Sequence, residues 1–344
     1  MQAAESSGKG VRPRAAGVTT SRCLAALLLL MALPAPAPPQ ERASSERRLV
    51  DPYTIRVSVD MVVLHATVRN HKGTPVSGLA EGDFQVYEDG VLQEIKYFSH
   101  EDIPVTVGLV VDNSGSMRPK RPEVIAAAVA FARSSNPQDQ MFVINFNEHV
   151  SFGLPVNMAF TDQAAQLQAA LSGITANGET ALYDAVAAGL EHLEKGNRDK
   201  KVLIVISDGA DNASRHNLAQ TLDMAGQSDT IIYTLGLFDP GDPDSNPRVL
   251  ARLAKATGGE AFLPETVKEV TPICERIARD IRNQYTIAYV PTNRQQDGTR
   301  RAIREKGQAP GIGRLVLRTR TGYTAPLTSQ ASPVAGAANH GTQN

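Results

Sequence analysis

An apolar run that ends abruptly in an aspartate constrains this chain more than any other feature. Val107-Gly-Leu-Val-Val leads straight into Asp112, followed by Asn113, Ser114, Gly115, Ser116 and Met117. A short apolar run without alternation reads as a strand covered on both faces, as in a parallel sheet. Open α/β sheets bind their ligands at the carboxyl ends of such strands. Here that end carries three small hard-oxygen side chains, Asp112, Ser114 and Ser116, in a loop that can curl them toward one point. Oxygen-only sets suit magnesium or calcium and offer nothing to soft metals. Taken alone, the triplet is also what an ordinary turn uses, so two later stretches decide its meaning.

Lys201-Val-Leu-Ile-Val-Ile206 is a second run of the same kind, and Ser207-Asp208-Gly209 closes it. Between the two lies Asn177-Gly-Glu-Thr180-Ala-Leu-Tyr-Asp184, with Thr180 just ahead of a helical pattern, where a hydroxyl is commonly an N-cap. Together the three stretches resemble the metal-ion-dependent adhesion site of von Willebrand factor type A domains. That pattern is Asp-x-Ser-x-Ser, then a Thr, then an Asp, and Asp112, Ser114, Ser116, Thr180 and Asp208 match it without substitution. The resemblance implies a doubly wound, mostly parallel, Rossmann-like sheet with helices on both faces. It also implies a divalent cation held by those five residues, magnesium first, with manganese or calcium as alternatives. A cation so held keeps an open position that accepts a carboxylate from a partner protein. The type A resemblance covers roughly residues 101–283.

The chain around this core divides by composition. Arg12, Arg14 and Arg22 precede an apolar stretch from Cys23 to Leu33, too short to span a bilayer. Residues 1–40 therefore read as a secretory leader, with export to the periplasm, the cell envelope or the exterior, and with no transmembrane helix in the mature chain. Residues 41–52 are charged and small, a linker. From 53 to 100 the pattern is β: Ile55, Val57, Val59, Met61 and Val63 alternate, and Asp89-Gly90 marks a tight hairpin. Residues 284–326 return to alternating strands, at Tyr285–Val290 and Gly313–Thr319, with Arg294, Arg300, Arg301, Arg304 and Lys306 between them as a basic loop. We expect 53–100 and 284–326 to pair as one small antiparallel sandwich flanking the type A segment. Residues 327–344 read as a disordered tail. The whole layout, with its DFQVYEDG and RTGYTAP segments, resembles bacterial exported proteins related to von Willebrand factor type A, of the acidobacterial type.

Composition removes several function classes. With 35 basic and 36 acidic residues, no overall field draws the chain to nucleic acid. There is no tryptophan, and aromatics are 5%, too few for a base-stacking platform. Cys23 and Cys274 alone cannot build a thiolate metal site. A serine hydrolase would need Gly-x-Ser-x-Gly, which is absent, and a phosphoryl-transfer enzyme a phosphate-cradling loop, also absent. His149, His192 and His216 are scattered, and Glu179, Asp184, Asp211 and Asp223 read as caps or solvated faces. The expectation is a binding module and not an enzyme. The alternatives are an envelope protein whose metal site is silent and, further off, a magnesium-dependent hydrolase. The partner's identity and the oligomeric state are not legible here.

Overall fold

The computed structural model describes residues 61–327 except 174, 175, 240, 242 and 310. The leader, the linker, the alternation from Ile55 to Val59 and residues 328–344 lie outside it. The chain opens with β1 (Val62–Arg69), β2 (Phe84–Glu88), β3 (Val91–Gln93) and β4 (Ile95–Ser99). Asp89 and Gly90 turn β2 into β3 with positive φ of 48° and 85°, the backbone that Asp-Gly supplies most readily.

From β5 (Val105–Asp112) the rhythm becomes strand and helix: α1 (Arg121–Ser134), β6 (Gln140–Phe146), β7 (Val150–Phe152), α2 (Ala164–Ser172), α3 (Leu182–Leu193) and β8 (Lys200–Ser207). Then follow α4 (Leu218–Gln227), β9 (Thr230–Gly236), α5 (Pro247–Thr257), β10 (Ala261–Phe262) and α6 (Val270–Arg282). These strands form one six-stranded sheet in the order β10-β9-β8-β5-β6-β7, parallel except for the edge strand β7. Every residue of β5 is buried, because parallel neighbours flank it on both sides and helices cover both faces. Gly108 belongs there for a steric reason. A Cβ at that position would run into the Phe142 ring and the Leu203 side chain.

After α6 come β11 (Tyr285–Tyr289), β12 (Arg300–Ala309), β13 (Gly313–Arg314), β14 (Val316–Arg318) and β15 (Gly322–Thr324). They join the opening strands in two antiparallel sheets, β14-β1-β11-β4 and β13-β12-β2-β3, with β15 also on β12. Leu64, Phe84, Val86, Tyr285, Ile287 and Tyr289 form the core between the sheets. Ser99 of β4 pairs with Thr286 of β11, so the α/β segment leaves and re-enters through adjacent strands.

The basic loop of the sequence reading is a strand. Arg300 to Lys306 belong to β12, paired with β2 from Ile303↔Glu88 to Gly307↔Phe84. Charge concealed the alternation: Arg301 and Ile303 face inward and are buried, while Arg300, Ala302 and Arg304 face out. Arg301 tolerates burial because Asp297 lies 3.0 Å from its guanidinium. The last helix is also shorter than its pattern suggests, since Val267–Glu269 form a separate 3-10 turn before α6.

Charged groups pin α6 to the sandwich. Arg69 of β1 donates to Asp280 of α6 at 2.5 Å and lies 3.5 Å from Glu260, which Arg276 and Arg318 also reach. Gln284, between α6 and β11, donates to Thr67 at 3.2 Å and to Tyr233 at 3.1 Å.

Candidate metal centre

Three loops meet at the carboxyl ends of β5 and β8. Asp112, the last residue of β5, is fully buried, and its Oδ1 accepts the Ser114 N–H at 2.8 Å. That bond curls the loop so that the chain enters a 3-10 turn over Gly115–Lys120. Asp112 Oδ2 accepts the Ser207 hydroxyl, from the end of β8, at 2.6 Å. The next residue, Asp208, is 1% exposed, and its Oδ2 accepts the Ser116 hydroxyl at 2.5 Å. Ser114 and Ser116 bring their hydroxyl oxygens to 3.2 Å. Four of the five sequence-nominated residues thus form one hydrogen-bonded group across two strand ends.

Thr180 is tied by its backbone to the loop after Asp208 and makes no hydrogen bond to those four. Its N–H donates to Asn212 Oδ1 at 2.8 Å, and its carbonyl accepts from Asn212 and Ala213 at 3.0 and 3.1 Å, in the loop that follows Asp208. The same segment is tied to the first loop, because Gly115 N–H donates to the Gly178 carbonyl at 3.3 Å and Asn177 N–H to the Asn113 carbonyl at 2.9 Å. Gly178 has φ +80°, a left-handed backbone that favours glycine. Thr180 is not an N-cap: Ala181 holds that position in α3 and makes no side-chain cap bond. Asp211, from the loop beyond Asp208, accepts the Tyr183 N–H at 2.9 Å and satisfies the first turn of α3 instead.

Burial pushes the Asp112 carboxyl up to about 6; Asp208 adds a smaller push, and hydrogen bonds from Ser114 and Ser207 oppose it. Two carboxylates and the hydroxyls of Ser114, Ser116 and Ser207 converge with no basic side chain hydrogen-bonded to either carboxylate. That chemistry fits a hard divalent cation, since only oxygen is offered and the negative charge lacks a partner. Among the described residues no group of three His, Cys, Asp or Glu side chains is placed to hold a metal.

Sequence reasoning missed Ser207 and Asn212. Ser207 stood in the open, beside Asp208, but a serine in a loop carries little signal of its own. Asn212 supports Thr180 from a loop thirty-two residues away, which no local pattern announces. The histidines are committed elsewhere. His216 Nδ1 lies 2.6 Å from Asp184, and His192 Nε2 is 3.0 Å from the Ala159 carbonyl.

An open α/β sheet whose strand ends gather aspartates and hydroxyls defines the class: a mostly parallel sheet of the doubly wound kind. The family follows from the sequence itself. Residues 107–210 match the model of the von Willebrand factor type A domain, and the chain carries a domain of that family. Among curated proteins it resembles inter-alpha-trypsin inhibitor heavy chain H4 of Bos taurus, 28% identical over 154 residues, or 41% of this chain and 16% of that one. The match therefore spans a small part of that relative's length. Among solved structures, a von Willebrand factor type A protein from Catenulispora acidiphila aligns over 78% of this chain and 75% of its own, with 14% identity and a TM-score of 0.48. The von Willebrand factor domain of the type V pili tip protein Mfa5 from Porphyromonas gingivalis covers 52% of this chain and 95% of its own, at 14% identity and TM-score 0.44. Among the described residues no helix is long and apolar enough to cross a membrane.

Proposed function

We propose that the chain is an exported protein-binding module that captures an acidic residue of a partner protein through a divalent cation, magnesium first. Asp112, Ser114, Ser116, Thr180 and Asp208 would hold the ion. The observation that carries this reading is the contact between strand ends, where Ser116 of the first loop donates to Asp208 of the third. Bound there, the cation would supply a positive centre with an open position for a carboxylate oxygen. The chain's own part is to hold the oxygens in place: Asp112 is gripped by Ser207 and by the Ser114 N–H, and Asp208 by the Ala210 N–H at 3.1 Å. The hydroxyls add coordination without cancelling charge, which leaves the centre attractive to an anionic partner. We read the site as binding rather than catalytic because, among the described residues, the hydrogen bonds of the Asp112 and Asp208 carboxylates come from hydroxyls and backbone N–H groups and from no imidazole.

The test is calorimetric titration of magnesium into metal-free wild type and Asp112→Ala, followed by capture of a carboxylate-bearing peptide with magnesium or with chelator. Wild type should bind the ion and the peptide, and the variant neither. Magnesium at a hundredfold excess over its Kd should stabilise wild type by about 2.7 kcal/mol. Equal heats for both proteins would end the proposal. Magnesium binding without peptide capture would mean a silent, structural site.

A further inference from the structure

The wall of one cavity contains a carboxyl for which the fold has no use. The cavity, of about 430 Å³, lies between the end of α5 and the sandwich, and Lys255, Glu260, Glu305, Arg318, Thr319 and Arg320 are among its walls. Glu305 also borders a larger cavity of about 1150 Å³, on the side of β12 where His71 and Asp83 lie. It stands in β12 on the inward side, in step with Arg301 and Ile303. Both its carboxylate oxygens are buried and neither has a hydrogen-bond partner, and the same holds for the Thr319 hydroxyl.

The arginines around it are already committed. Arg318 pairs with Glu260, Arg320 lies 2.7 Å from Asp229, and Arg301 is held by Asp297. Burial pushes the Glu305 carboxyl up to about 8, and no basic group opposes it. A buried carboxyl without a partner is costly, so an inward glutamate in a sandwich core calls for a positive occupant. The arginines face carboxylates of their own, which argues against an anion. One carboxylate and one hydroxyl are too few oxygens for a calcium or magnesium ion. The volume suits a small molecule, and Ile303, Leu317 and Ala254 give an apolar stem somewhere to lie.

We propose that Glu305 anchors a second ligand site, separate from the metal centre, for a small organic cation bearing an ammonium or guanidinium group. Binding turns the side chain toward the cavity and converts the neutral carboxyl to a carboxylate. The carboxyl O–H bond breaks, its proton passes to the buffer, and the carboxylate forms an ion pair with the incoming cation. The other charged groups facing Glu305 are Lys255 and Glu260 at the end of α5, and Arg318 and Arg320 on the strand side.

The experiment titrates butylammonium and methylguanidinium separately into the full chain by calorimetry at pH 7, in two buffers of different ionisation heat. At least one probe should saturate, with a buffer-dependent heat that reports proton release. Glu305→Gln keeps the shape and removes the charge; it should weaken that probe at least tenfold while melting no lower than wild type. Thr319→Val should weaken it less. Absence of saturable binding by either probe, or equal affinity in Glu305→Gln, would overturn the proposal. So would matching losses of melting temperature in Glu305→Gln and Lys255→Ala, which would show that Glu305 serves an internal partner.

Discussion

The six-stranded sheet and the sandwich handle polar side chains in opposite ways. In the sheet, polarity is collected at the strand ends: β5 is apolar through most of its length and finishes in Asp112, and β8 finishes in Ser207, just ahead of Asp208. In the sandwich, polar groups lie inside the strands. Glu88 is 2% exposed and accepts hydroxyl bonds from Tyr289 and Tyr323 at 2.8 and 3.0 Å, while Glu305 sits among inward residues with no partner. A parallel strand buried on both faces has no neutral place for a charge except its end. An antiparallel sandwich of short strands has gaps at its corners, where charges can be housed in pairs. Polarity is therefore concentrated at the carboxyl ends of the sheet's strands, and dispersed through the sandwich.

The sharpest way to break that comparison is to separate the regions. We propose that residues 101–283 fold alone, since their core is continuous, and that 53–100 do not, because β1 takes its neighbours from 284–326. Amide spectra of the two fragments test this; good dispersion from 53–100 would contradict it. Next in size is Asp280→Ala. It removes an acid that Arg69 reaches at 2.5 Å and leaves a buried cation short of charge, so denaturant unfolding should show a loss of about 3–5 kcal/mol. If the loss is near zero, the ion pairs at the junction are not what binds the two regions.

The third prediction concerns pH and the sandwich alone. The Glu305 carboxyl is raised from 4.5 to about 8 in the folded chain. A raised acid contributes fully below its unfolded value, so stability should fall as pH climbs from about 4.5 to about 8, at roughly 1.4 kcal/mol per pH unit at most. Glu305→Gln should flatten that slope in urea titrations across the same window; an unchanged slope assigns it to other groups. The smallest effect belongs to the sheet's periphery. Asn217 accepts the Gln220 N–H at 3.0 Å as the cap of α4, and Asn217→Ala should cost about 1 kcal/mol without altering magnesium affinity.

The parallel strands were legible because burial on both faces leaves an unbroken apolar run, as at Val107–Val111 and Val202–Ile206. The hydrogen-bonded group of Asp112, Ser114, Ser116 and Asp208 was legible because these residues sit at the ends of those runs, where a polar residue stands out. The sandwich was harder to read. Its strands are short, it crosses between sheets at Glu94, and Arg300, Arg301, Arg304 and Lys306 masked the inward positions of β12. Partners such as Asn212 and Asp211 depend on loop closure in three dimensions, which no window of sequence displays.

The pairing of Ser99 with Thr286 has a mechanical consequence. A pull on the two ends of the described chain, at Met61 and Leu327, enters through β1 on one side and β15 on the other. β1 is held by β11 and β15 by β12, so the sandwich strands take that pull first. Strands β4 and β11 lie side by side at the root of that segment, so tension must first shear them apart before it reaches β5. The loops carrying Asp112 and Asp208 sit at the far end of an unloaded branch.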